Sequence, residues 1–131
     1  MFLALLNGAE KRAFVQLADH LAAADDVILE AEKQAISALK AEAGIPGATG
    51  ENLLPVDELA SVFVSRRAKI AALLELLGLA YADSEFEANE RSMIVATAHE
   101  MDIEMAELRQ LEDWVRDHIK LVERALAIMN E

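Results

Sequence analysis

Cysteine is absent from this chain, proline occurs twice and glycine five times in 131 residues. Without a thiol there is neither a disulfide frame nor a thiolate metal site. So few breakers leave long stretches free to run as helix. Aromatics are scarce, with one Trp, one Tyr and four Phe. Basic residues are scarce too: 12 Lys and Arg against 24 Asp and Glu give a net charge of −12. A surface of that sign repels phosphate backbones and anionic lipid, which argues against nucleic acid and membrane surfaces as partners. It favours cations and basic protein surfaces, and it also serves plain solvation. Long apolar runs are missing as well. The start, Met1-Phe2-Leu3-Ala4-Leu5-Leu6, lacks a basic flank and ends at Asn7. A signal peptide needs a longer apolar core, and a membrane span needs about 20 apolar residues. These first residues read as the start of a packed helix, and the protein as cytoplasmic, with no membrane insertion.

What is present is helical periodicity in a chain rich in Ala, Leu and Glu; no segment alternates as a strand does. A helix is expected from about Ala9 to Ala24, with Phe14, Leu17, Ala18 and Leu21 as its apolar stripe. A second is expected from about Leu29 to Ala43, stopped by Gly44 and Pro46. Residues 46–55, with Pro46, Gly47, Gly50 and Pro55, form a linker. A short helix follows from about Val56 to Val64, with Leu59, Ala60, Phe63 and Val64 facing inward. Ser65-Arg66-Arg67 is a weak break, across which that helix can continue. The next helix, to about Ala82, carries Ile70, Leu73, Leu74, Leu76, Leu77, Leu79 and Ala80 on most of its circumference, the pattern of a buried central helix. A helix from about Glu87 to Met101 buries Met93, Ile94 and Thr97. Residues 104–130 carry Met105, Leu108, Leu111, Val115, Ile119, Val122, Leu126 and Met129 at spacings of three and four. They form one long amphipathic helix, or two with a bend near Glu112-Asp113. The expected fold is a single all-α domain over residues 1–131, a compact bundle of about six or seven helices.

The chain also repeats itself. Ala82-Asp83-Ser84-Glu85-Phe86-Glu87-Ala88-Asn89-Glu90-Arg91 echoes Ala24-Asp25-Asp26-Val27-Ile28-Leu29-Glu30-Ala31-Glu32-Lys33 at an offset of 58 residues. Aligned without gaps from Lys11 and Lys69 to Ile45 and Ile103, 11 of 35 positions are identical. Chance in so biased a composition gives roughly three. Duplication of a helix-loop-helix unit explains this, with repeat one at about 9–45 and repeat two at about 67–103. Each unit places an Asp near one helix end and a Glu in the next helix.

The second repeat, from Leu76-Leu77-Gly78-Leu79-Ala80-Tyr81-Ala82-Asp83 through Glu90-Arg91 and Ile94 to Met101-Asp102-Ile103, resembles the tellurite-resistance TerB-like family. That family includes the N-terminal domain of a membrane-anchored J-domain co-chaperone. The similarity covers most of residues 66–126 and, more weakly, 9–45. Ser84 and Asp26 depart from it, standing where the family prefers Gly. The resemblance implies a compact helical domain of two related halves and a role in stress-associated or membrane-proximal assemblies; it does not imply an established enzymatic reaction. It also implies a divalent cation, Ca²⁺ or Mg²⁺, on Asp25, Glu32, Asp83 and Glu90.

The residues themselves leave two readings of those four carboxylates. Carboxylate oxygens suit a hard cation, and pseudo-symmetry can bring the pairs together. Equally, Glu90 follows Glu87 by three and can turn back on a helix start as in a capping box, helped by the helix dipole. An EF-hand does not fit, because its glycine position is Ala88 and its final glutamate position is Ile94. His20, His99 and His118 have no metal-ligand spacing and read as surface or boundary residues. Trp114 adjoins the stripe and reads as core or boundary packing, or as a partner-facing anchor. Arg66, Arg67 and Lys69 are expected to pair with carboxylates. No phosphate loop or nucleophile motif points to catalysis. The expected function is therefore a non-enzymatic module that binds a partner protein with a basic surface, with a divalent cation on its acidic face. The alternative is an assembly domain that forms a homodimer through the long C-terminal helix. A metal-dependent enzyme ranks third.

Overall fold

The computed structural model describes residues 2–24, 54–81 and 88–130, together with Ala38 and Ala41, which are helical and exposed. Among the described residues there are five α-helices, one 3-10 turn and no strand. The helices are α1 (Gly8–Ala23), α2 (Val56–Ser61), α3 (Arg66–Ala80), α4 (Ala88–Glu100) and α5 (Met105–Met129). The expected helix at about Leu29–Ala43 falls largely outside the described residues, as do most of the linker, Asp25, Glu32 and Asp83.

The apolar start is a 3-10 turn, Leu3–Leu5, rather than an entry into the first helix. Leu6 is extended, and Asn7 then caps α1. The Glu10 N–H donates to Asn7 Oδ1, and the Asn7 N–H donates to Glu10 Oε1, both at 2.8 Å. This reciprocal capping box satisfies two donors that a helix start leaves free. Phe14, Leu17, Ala18 and Leu21 are buried, as the stripe predicts.

Helix α2 stops at Ser61, short of its expected end. Leu59, Ala60 and Phe63 are buried, but Val64 is 81% exposed. The reason is the break itself. Ser65 is extended, and its Oγ accepts the Ala68 N–H at 3.1 Å, starting α3 afresh. Once the chain leaves helical geometry after Ser61, helical spacing no longer places Val64 inward. Helix α3 is the centre of the bundle, packing against the N-terminal turn, α1, α4 and α5. Its Leu73, Leu76, Leu77, Leu79 and Ala80 are all buried.

Helices α1 and α3 begin at corresponding positions of the sequence repeat. Their caps, Asn7 and Ser65, are 58 residues apart, and so are their first residues, Gly8 and Arg66. Ala13, Phe14, Val15, Ala18 and Leu21 are buried, and so are their counterparts Ala71, Ala72, Leu73, Leu76 and Leu79.

Helix α4 buries Ile94 and Thr97, with Met93 half-buried. It ends on Asp102, whose φ of 60° lies in the left-handed region. The Ile103 N–H donates to the Ala98 carbonyl and the Asp102 N–H to the His99 carbonyl, at 2.9 and 3.0 Å. This is a Schellman closure, and its left-handed residue is ordinarily glycine. In the first repeat the equivalent residue is Gly44. Helix α5 is one continuous helix with no break at Glu112-Asp113.

Candidate functional site

Of the four expected cation ligands, only Glu90 is a described residue. It is the third residue of α4 and is 1% exposed. Placement in the first turn puts its carboxylate where the helix dipole favours negative charge. Among the described residues no group of three or more His, Asp or Glu side chains is arranged to hold a metal ion.

The neighbouring residue, Arg91, points to a different partner. Its guanidinium donates to both oxygens of Glu112 on α5, at 2.6 and 3.0 Å. The Tyr81 hydroxyl, at the C-cap of α3, donates to Glu112 Oε1 at 2.6 Å. Tyr81 and Arg91 flank residues 82–87, the stretch that contains Asp83. One carboxylate on α5 therefore fastens both ends of the acidic motif to the bundle. The Arg91 hydrogen bonds hold the Glu112 carboxyl below its ordinary pKa. Burial opposes that shift, and the Tyr81 hydroxyl and the Arg91 charge add to it. The Tyr81 phenol is pushed up, first by burial and then by its bond to the Glu112 carboxylate. These are the shifts of a closed structural network, with the anion and its donors mutually stabilised.

This clamp escaped the sequence reading, although one signal was present. Glu112 lies seven residues before Ile119 and fourteen before Leu126, so it occupies a position in the apolar stripe of α5. A charge in such a stripe needs a buried or half-buried partner. Arg66 pairs with Glu107, as its cluster suggested, and Arg116 pairs with Asp113. The His20 ring lies 2.7 Å from the Leu54 carbonyl, and the Leu54 N–H donates to Gln16 Oε1 at 2.9 Å. Both contacts tether α1 to the residues entering α2. Trp114 is exposed on one side, stacked on His118 with ring centroids 5.1 Å apart and tilted against Phe2 at 5.6 Å.

Two open grooves flank the bundle. One, of about 440 Å³, is lined by Ser92, Val95, His99, Ile103, Glu104 and Met105. The other, of about 530 Å³, lies between Phe2, Leu5, Arg67 and Ile70. The larger apolar feature is the far half of α5. Leu108 and Val115 are buried and Ile119 is half-buried, but every residue from Lys120 to Asn130 is exposed. The stripe continues through Val122, Leu126 and Met129, all exposed. Among the described residues no helix is long and apolar enough to cross a membrane.

No protein-family model, no curated protein and no solved structure matches this chain.

Proposed function

We propose that this chain is a non-enzymatic helical module that works by binding another protein. The observation that carries the reading is the exposed apolar face of α5. Leu121, Val122, Leu126, Ile128 and Met129 are 46–75% exposed on one helix. Contiguous apolar surface of this kind is uncommon on a chain that acts alone and marks interaction sites. The closed network at Glu112 and the open character of both grooves fit a scaffold better than a reaction centre. The TerB-like resemblance extends the proposal to a stress-associated, cytoplasmic module of two related halves and six or seven helices, as in tellurite-resistance proteins. The matching caps, boundaries and buried faces of α1 and α3 favour the two halves, as does Gly44 at the position of Asp102.

The experiment is a photo-crosslinking residue at Leu121, introduced into the full chain and activated in cells. The reading expects discrete crosslinked products that a probe at Lys120, on the opposite face, does not give. Absence of any crosslinked product, to itself or another protein, refutes it.

A divalent cation on the acidic motif is a further part of this proposal. The TerB-like resemblance, which assigns a cation to Asp25, Glu32, Asp83 and Glu90, supports it. A cation-dependent melt separates capping from ligation.

A further inference from the structure

From the far half of α5 we infer that the occupant of its apolar face is a second copy of this chain, paired antiparallel about a two-fold axis near Ala125. This rests on the partner-binding reading above and names the partner. Three observations carry it. The first is shape. At 100° per residue, Leu121, Val122, Ala125, Leu126, Ile128 and Met129 cover about half the circumference of α5. Ala125 sits near the middle of that arc, where a small side chain lets two helices approach closely. The exposed stretch from Lys120 to Asn130 is about 15 Å long.

The second is charge. Residues 116–131 carry three basic and three acidic side chains, whereas residues 1–115 carry nine and 21. The whole net charge of −12 therefore lies outside this end of the chain. The net repulsion between two copies comes from residues 1–115, and the far half of α5 adds none. Antiparallel pairing sends the two acidic bundles to opposite ends, and parallel pairing sets them side by side. The same balance disfavours a lipid surface, where the polar face of an interfacial helix is enriched in Lys and Arg.

The third is area. Leu121, Val122, Leu126, Ile128 and Met129 are 46–75% exposed, and a pairing that covers part of each belongs to the small, weak class of interfaces, under about 1,200 Å². The interface is isologous, each copy presenting the same patch.

The test uses the full purified chain in sedimentation velocity from about 1 to about 200 μM, a range that spans weak to moderate association. The inference expects the mass to rise from 14.3 kDa towards twice that value. Val122→Glu and Leu126→Glu should each raise the dissociation constant at least about tenfold, as truncation of interface anchors does. Their circular dichroism and melting should be retained, because both side chains are exposed in the single copy. Lys120→Ala, on the opposite face, should dimerise as the parent does. The chain has no cysteine, so single cysteines report geometry directly. Ala125→Cys should form a disulfide-linked dimer under mild oxidation. Met129→Cys should not, since antiparallel copies hold those residues about 12 Å apart, beyond disulfide reach. A monomer at every concentration overturns the second-copy assignment. If Leu121 then crosslinks to a different protein in cells, the partner-binding reading survives; if it crosslinks to nothing, both fall. A dimer unaffected by both glutamate substitutions, or one in which Met129→Cys links as readily as Ala125→Cys, overturns the interface and its direction.

Discussion

Replacing Glu112 should cost more than its place on a long surface helix suggests. It is 6% exposed and accepts three hydrogen bonds from two other helices' ends, at 2.6, 2.6 and 3.0 Å. A hydrogen bond to a charged group is worth about 1.5–3 kcal/mol where solvent is excluded. The Arg91 side chain is 49% exposed, so its share is screened and recovers water when the carboxylate is gone. The Tyr81 hydroxyl recovers less. Glu112→Ala should therefore cost about 2–3 kcal/mol, and at about 4 °C per kcal/mol for a chain of this length the midpoint falls by about 8–12 °C. Glu112→Gln keeps the volume and some of the bonds and should cost about half as much. The sign of the pH dependence follows from the depressed folded-state pKa of Glu112. Its contribution is complete above the unfolded-state value, about 4.3, and is lost as pH falls through the folded value. Urea melts of parent and Glu112→Gln, from about pH 7 down to about pH 2, give the difference directly. General relief of acidic repulsion is common to both and cancels. A gap that widens on acidification, or a Glu112→Ala loss below about 0.5 kcal/mol, refutes the clamp.

Leu77 is 1% exposed in the central helix, and Leu77→Ala should cost about 2–5 kcal/mol in chemical denaturation; a loss under about 1 kcal/mol would make α3 peripheral. Asp102→Gly should stabilise by about 0.5–1 kcal/mol, because glycine removes the Cβ conflict at φ 60°; an equal or lower melting temperature counts against a strained closure. Glu90→Gln should cost under about 1 kcal/mol if the carboxylate only supports the start of α4. If a cation is bound, ligand at 100 times its dissociation constant adds about 2.7 kcal/mol to the parent. That increment should vanish in Glu90→Gln, and a parent indifferent to Ca²⁺, Mg²⁺ and Mn²⁺ eliminates the site.

Much of the candidate site was hidden from sequence reasoning for a definite reason. The Asp and Glu of the repeated motif stood out because the same spacing occurs twice in the sequence. The clamp that fastens the second motif did not, because Glu112 lies 31 residues from Tyr81 and 21 from Arg91. In a chain with 24 acidic residues, no spacing distinguishes one long-range carboxylate from the rest. Only its position in the apolar stripe marked it.

What the sequence determined by itself is what short-range physics governs. Apolar residues three and four apart set the buried faces of α1 and α3, and scarce breakers set an all-helical chain. The Asn7 and Glu10 spacing encodes a capping box within four residues. Tertiary structure decided where those faces find neighbours. Val64 has an inward helical spacing but is exposed, because Ser65 captures the Ala68 N–H and restarts the helix. Val115 and Val122 are one heptad apart on the same stripe of α5, yet the first is buried and the second exposed. Periodicity records which side of a helix is apolar. The end points of the packed neighbours, set by chain tracing in three dimensions, decide whether that side is covered within the copy or left for another.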